Sequence, residues 1–211
     1  MTSVKRSRCD RDMLRRQVIE KAAEAFLKSG IKNVKMDDIA NLLSMSKRTL
    51  YELFSDKAQL LAEVLFFHQK EMDEYMTKII SSADNVLEII FAFYKRKLTE
   101  LGQTNPAFLR DLRKYPQVIN LIKEARRKSD EGAFAYYRKG VEQGIFRSDI
   151  NFDIINQAMF MQLEMLIYSD LTYSYPLADI YSEITILHMR GITTEKGQKM
   201  IDGFLQTMKE I

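Results

Sequence analysis

The feature that most constrains this chain is its lack of punctuation: 211 residues contain 8 Gly and 3 Pro, and no Pro precedes Pro106. Glycine and proline interrupt regular structure and turn the chain. A sequence so poor in them favours long unbroken elements, and its many Leu, Met, Lys and Glu residues lose little freedom on entering a helix. The expectation is an all-α fold. Sandwiches and barrels, which need frequent turns, are excluded.

Apolar spacing places the helices. Between Arg11 and Ser29, Leu14, Val18, Ala22 and Phe26 recur four apart, with Ile19 and Ala23 widening the stripe. That is an amphipathic helix, and Gly30 stands where a left-handed C-cap belongs. A short helix is expected over 37–43, with Asp37 and Asp38 at the positive end of its dipole, and another over 46–54. Asp56 and Gln59 read as a capping pair opening a long helix, 57–76. Further helices are expected over 85–101, 106–114, 116–143, 152–170, 176–189 and 194–209. Pro106 and Pro116 sit at first-turn positions that tolerate proline, and Gly144 acts as a stop. Long helices after Lys57 must fold back on one another, predicting a C-terminal antiparallel helical bundle.

Charge is unevenly distributed. Residues 1–60 hold 13 Lys/Arg against 8 Asp/Glu, a balance of +5, and the remainder holds 19 against 21, a balance of −2. Positive charge gathered at one end points either to a polyanionic partner or to a solubilising face. The single Cys9 excludes a disulfide framework and a thiolate metal cluster, so no metal or cofactor is expected. No apolar run approaches the roughly 20 residues that span a bilayer, and Met1–Asp12 contains no apolar leader. The expectation is a cytoplasmic protein with no membrane partner.

The most informative stretch is Ile39-Ala40-Asn41-Leu42-Leu43-Ser44-Met45-Ser46-Lys47-Arg48-Thr49-Leu50-Tyr51. It describes two short helices joined by a tight turn. Ile39, Ala40 and Leu43 can bury the first, and Leu50 with Phe54 the second. A helix-turn-helix offers the start of its second helix to the major groove. Here that start is Ser46-Lys47-Arg48-Thr49, side chains able to donate hydrogen bonds to base edges or phosphates. The alternative is an ordinary helix pair inside a plain bundle.

Residues 11–61 resemble the DNA-binding region of the tetracycline-repressor (TetR/AcrR) family. The resemblance rests on Ala23-Glu24-Ala25-Phe26 and Gly30, then Asp38-Ile39-Ala40, Ser46-Lys47, Thr49-Leu50-Tyr51, Phe54, Asp56-Lys57 and Leu60-Leu61. It implies a three-helix helix-turn-helix DNA-binding domain over 1–56, with 1–10 a flexible basic tail, and an effector-binding, dimerising helical domain over 57–211. By the same resemblance Tyr51 and Lys57 contact phosphates, Lys35 does so as well, and Lys47, Arg48 and Thr49 read bases, with Ser46 a further DNA-binding candidate beside them. Lys5, Arg6, Arg8 and Arg11 are candidates for backbone or minor-groove contacts, the alternative being a solubilising segment. Three departures stand out. Ser44 replaces the usual Gly, so the turn must carry a side chain through its backbone angles. Arg48 replaces Gly or Pro, which adds a cation. Glu52 and Leu53 replace aromatic or His positions.

The second half points to a partner and a ligand. Residues 152–170 are apolar on nearly all sides, which a half-exposed helix in a monomer does not permit. The resemblance assigns this helix and 176–189 to a homodimer, whose two recognition helices would meet a palindromic operator in double-stranded DNA. Phe67, Tyr94, Phe108, Tyr137, Gln162 and Met165 are the candidate lining of a cavity for a small apolar or amphipathic effector, the alternative for each being a core position. The expected function is a ligand-responsive repressor. An enzyme is not expected: only His68 and His188 occur, far apart and in no catalytic motif. A helical protein–protein adaptor without DNA binding is the alternative.

Overall fold

The computed structural model describes the backbone of residues 2–127 and 130–209, and the side chains of 10–124, 135–159, 161–162 and 164–208. In chain order the helices are α1 (Thr2–Ser29), α2 (Met36–Leu42), α3 (Lys47–Leu53), α4 (Lys57–Ser82), α5 (Val86–Gln103), α6 (Pro106–Leu112), α7 (Pro116–Arg127), α8 (Asp130–Glu142), α9 (Phe152–Tyr168), α10 (Leu171–Ser174), α11 (Leu177–Ile192) and α12 (Glu195–Lys209). No strand occurs among the described residues, and an isolated antiparallel bridge joins Phe146 to Thr193. The all-α expectation holds.

Several boundaries differ from the sequence reading. α1 begins at Thr2 instead of Arg11, because no Gly or Pro precedes Gly30 and the intervening Lys and Arg residues are good helix formers. Residues 2–10 therefore continue a helix where a flexible tail was expected, and the side chains of Lys5, Arg6 and Arg8 lie outside the described residues. The helix expected over 116–143 is seen as α7 and α8, with residues 128–129 lying outside the described residues. α10 adds a turn between the two late helices.

The chain forms two compact units, Met1–Met72 with Thr104–Lys123, and Asp73–Gln103 with Glu124–Ile211. The sequence division at 56/57 falls inside the first of these, because Leu60, Leu61 and Val64 of α4 are buried within it. Its core also contains Val18, Ala22 and Phe26 of α1, Ile31, Ile39 and Ala40, and Leu50 with Phe54, all essentially sealed from solvent.

A polar fastening joins α6 to the end of α1. The Asn105 backbone N–H donates to the Leu27 carbonyl at 2.8 Å, and its side-chain amide donates to the Lys28 carbonyl at 3.1 Å. The Asn105 side-chain oxygen meanwhile accepts from the Ala107 N–H at 2.9 Å. One residue thus caps the start of α6 and satisfies carbonyls that the end of α1 leaves open. Asp111 on α6 accepts from the Lys32 N–H at 2.6 Å.

The second unit is organised around Val86, Leu87 and Tyr94 of α5, Tyr137 of α8, Ile145 and Phe146, Met189 and Ile192 of α11, and Ile201 of α12. α12 closes this core, with Phe204 stacked on Phe91 at a centroid distance of 3.9 Å. Beside the Phe146–Thr193 bridge, Arg147 N–H donates to the Ile192 carbonyl and Thr194 N–H to the Ile145 carbonyl, each at 2.9 Å. These bonds lash the two interhelical connections together.

Gly30 carries the tightest requirement in the first unit. Its φ is +80°, and a Cβ there would meet the Ala107 Cβ at 2.9 Å. Left-handed backbone and collision both oppose a side chain. Gly30→Ala is expected to lower unfolding free energy by about 2–4 kcal/mol, measured as a fall in the urea midpoint at unchanged slope.

Candidate nucleic-acid interface

Two short helices are set at a fixed angle by the turn between them. After α2, the Ser44 N–H donates to the Asn41 carbonyl at 3.1 Å and the Met45 N–H to the Ala40 carbonyl at 3.0 Å. This is a Schellman ending, which needs a left-handed residue at Ser44. Ser44 supplies it with φ 51°, so serine adopts the conformation that the departure from glycine demanded. Ala40, 1% exposed, leaves room for the helices to cross closely. α3 opens on Ser46, whose Oγ accepts from the Thr49 N–H at 3.1 Å.

At the far end of α3, two arginines of α1 take the carbonyls the helix leaves unpaired. Arg15 Nη1 donates to the Leu53 carbonyl at 2.6 Å and Nη2 to Glu63 of α4 at 2.7 Å. Its guanidinium lies 4.4 Å from the Phe54 ring centroid. Arg11 donates to the Glu52 carbonyl at 3.2 Å, which gives this residue, expected at the DNA backbone, a capping contact within the protein. A cation at a helix C-terminus also complements the dipole. Sequence reading missed Arg15: its partners lie 38 and 48 residues away, and only its place on the polar flank of α1 hinted at a role.

With its inner face buried and both ends capped, α3 turns Lys47 and Arg48 outward, with side chains 65% and 88% exposed. Ser46 is exposed and Thr49 half-buried, their hydroxyls 2.8 Å apart. Tyr51 is 49% exposed. Lys35, the residue before α2, is exposed, and its backbone N–H donates to Asp38 at 2.8 Å. Leu53 is buried, which removes residue 53 from the surface. Lys47 is hydrogen-bonded to Asp37, which raises its pKa through that bond and through charge.

Lys57, expected at a phosphate, has partners within the protein. Its ammonium donates to the Ile31 carbonyl and lies 5.7 Å from the Phe26 ring centroid. Burial lowers its pKa, opposed by the charges of Asp111 and Asp38. The side chain expected on a phosphate therefore ties the start of α4 to the α1–α2 loop. The Asp56–Gln59 pair forms as read: Gln59 N–H donates to Asp56 Oδ1 at 2.8 Å, and Ser55 N–H to the Gln59 side chain at 2.6 Å.

Residues 18–64 match the sequence model of the bacterial regulatory proteins of the tetR family. The chain is 26% identical over 133 residues to the HTH-type transcriptional regulator YhgD of Bacillus subtilis, spanning 61% of this chain and 67% of that one. In fold it resembles a TetR-family regulator from Marinobacter aquaeolei, with TM-score 0.67, 17% identity, and 91% and 97% of the two chains covered. It also resembles a transcriptional regulator from Saccharomonospora viridis in complex with choline, with TM-score 0.63, 20% identity, and 87% and 100% covered.

The six effector candidates fall in both units. In the first, Phe108 is buried and Phe67 is half-buried, with the Arg16 guanidinium 5.6 Å from its ring centroid. In the second, Tyr94 and Tyr137 belong to one packed cluster. The Tyr94 hydroxyl is 2.7 Å from Ser182 Oγ, and Tyr137 stacks on Phe152 at 4.6 Å. Tyr137 also borders an open concavity of 320 Å³ with Arg138, Val141, Glu142, Ile150 and Phe152. Gln162 is half-buried, while Met165 is among the exposed apolar residues. No group of three metal-ligating side chains converges among the described residues, and no described helix is long and apolar enough to cross a membrane.

Ser44 identifies a site of improvable stability. Replacing it with the residue that adopts positive φ without a Cβ relieves strain but adds freedom to the unfolded chain. Ser44→Gly is expected to raise stability by about 0.5–1 kcal/mol, read as a higher urea midpoint, with the helix content unchanged.

Proposed function

We propose that this chain is a ligand-responsive repressor that binds a palindromic operator as a homodimer and releases it when a small apolar or amphipathic effector binds. The observation carrying the reading is α3: a capped helix, buried on one side, with Lys47 and Arg48 projecting from the other. Arg48 reads guanine O6 and N7, Lys47 and Thr49 contact neighbouring base edges, and Tyr51 with Lys35 contacts phosphates.

Dimerisation is supported by α9 and α11. Ile154, Met161, Met165 and Tyr168 are exposed apolar residues on one side of α9, and Leu187 on α11 is 74% exposed. Pairing these faces across a two-fold axis removes apolar surface from water and sets two recognition helices about 34–36 Å apart, one turn of DNA. An effector that favours a conformer with different spacing lowers operator affinity by its differential binding, and DNA weakens effector binding reciprocally. α4, one continuous helix from Lys57 to Ser82, is the lever in this account. That a neighbouring fold holds choline supports a small-molecule effector as a class. The protein works in the cytoplasm, beside its DNA, and the reading assigns it no catalysis.

Mobility shifts with the chain's own upstream DNA across a salt series test the proposal. Steep loss of binding with salt is expected, and Arg48→Ala is expected to cost about 1–3 kcal/mol and to relax preference at one base pair. Uniform weakening on every sequence reassigns Arg48 to a phosphate. Absence of salt-dependent binding favours a protein–protein adaptor.

A further inference from the structure

Both cations that α3 presents are already held by carboxylates of the same protein. Lys47 Nζ lies 2.5 Å from Asp37 on the first turn of α2. Arg48 Nε lies 2.9 Å from Glu52, one turn along α3. The neighbouring Asp38 is otherwise engaged, accepting from the Lys35 N–H. Two positive charges are thus set against two negative ones, and the outward face of the recognition helix carries no formal excess.

This matters because non-specific affinity comes from cations displacing counterions from the phosphate backbone. A lysine or arginine neutralised by its own carboxylate releases fewer counterions and must give up that partner before contacting a phosphate. In the major groove the exchange is more favourable. Guanine O6 and N7 are acceptors placed for bidentate contact with a cationic side chain, so the correct base replaces the surrendered carboxylate bonds. Both pairs are solvent-exposed, and exchange is therefore inexpensive. The arrangement handicaps the wrong sequence more than the right one, which is how specificity arises as a difference of affinities.

We propose that Asp37 and Glu52 are specificity-determining residues, holding Lys47 and Arg48 in internal ion pairs that only a matching major-groove edge displaces. This rests on the reading of α3 as the recognition helix. It gives a function to Glu52, which stands where the family resemblance leads one to expect an aromatic or histidine. It also gives Asp37 a function beyond its favourable position at the start of α2.

The test uses the full-length protein with Asp37→Asn, Glu52→Gln, the double variant, and Glu71→Gln on the exposed surface of α4 as a charge-matched control. Fluorescence anisotropy would measure binding to a random-sequence duplex and to a duplex selected for tight binding, over a range of salt. Each single variant is expected to bind the random duplex about threefold more tightly, and the double variant about tenfold. The double variant's salt slope should steepen by about one to two. The gain on the selected duplex should be smaller, so discrimination falls. Unchanged or weaker binding of the random duplex by both single variants would overturn the proposal, as would equal tightening by Glu71→Gln. Wild-type protein that binds neither duplex in a salt-dependent way would remove the recognition-helix reading itself, a result separable from the first.

Discussion

The account depends on the burial of Leu50 and Phe54, both fully sealed from solvent. α3 has seven residues, well short of the roughly 12–15 at which an isolated helix becomes even marginally stable in water. It exists because one side is driven into the core, at about 1.5–3 kcal/mol for each large apolar side chain removed from water. Its ends are then closed by polar contacts: Ser46 accepts from an N–H of the first turn, while Arg11 and Arg15 donate to the last carbonyls. The inner face supplies the stability, so the outer face is free to be chosen for chemistry.

That division explains which parts of the structure could be read from the sequence. Gly30, the Asp56–Gln59 pair and the turn at Ser44 were legible because each satisfies a local geometric demand within a few residues. The buried faces of α1 and α3 were legible from periodicity. Arg15 was not, because its hydrogen bonds reach across the fold and leave no repeating trace. Asn105 and Asp111 escaped for the same reason, and with them the inclusion of α6 in the first compact unit. Lys57 has an internal partner that the sequence pattern did not reveal. A lysine at a helix start beside a DNA-reading element suggests a phosphate contact, yet the nearby Ile31 carbonyl and Phe26 ring offer it an internal seat.

The second unit follows a different logic. Its core is rich in tyrosine and phenylalanine, stacked in pairs such as Tyr137 with Phe152 and Phe91 with Phe204. The polar ends of its tyrosines need partners when buried. Tyr94 finds Ser182, and Tyr136 donates to the Val86 carbonyl at 2.6 Å. Burial holds the phenols of Tyr136 and Tyr137 above their usual pKa and pushes Tyr181 up to about 12, so all three are neutral hydrogen-bonding groups at physiological pH. Sequence alone marked Tyr94 and Tyr137 as aromatic residues suited to a ligand; their packing in one cluster is a tertiary fact that spacing along the chain does not encode.

The central claim is that the outward face of α3 enters the major groove. A DNA-cleaving reagent attached at Thr49→Cys, in a Cys9→Ser background that leaves a single thiol, reports this directly on bound DNA. The account predicts strand cleavage centred on major-groove positions, repeated at two places about one helical turn apart. Cleavage centred on the minor groove, or a bound complex with no cleavage near residue 49, would contradict it.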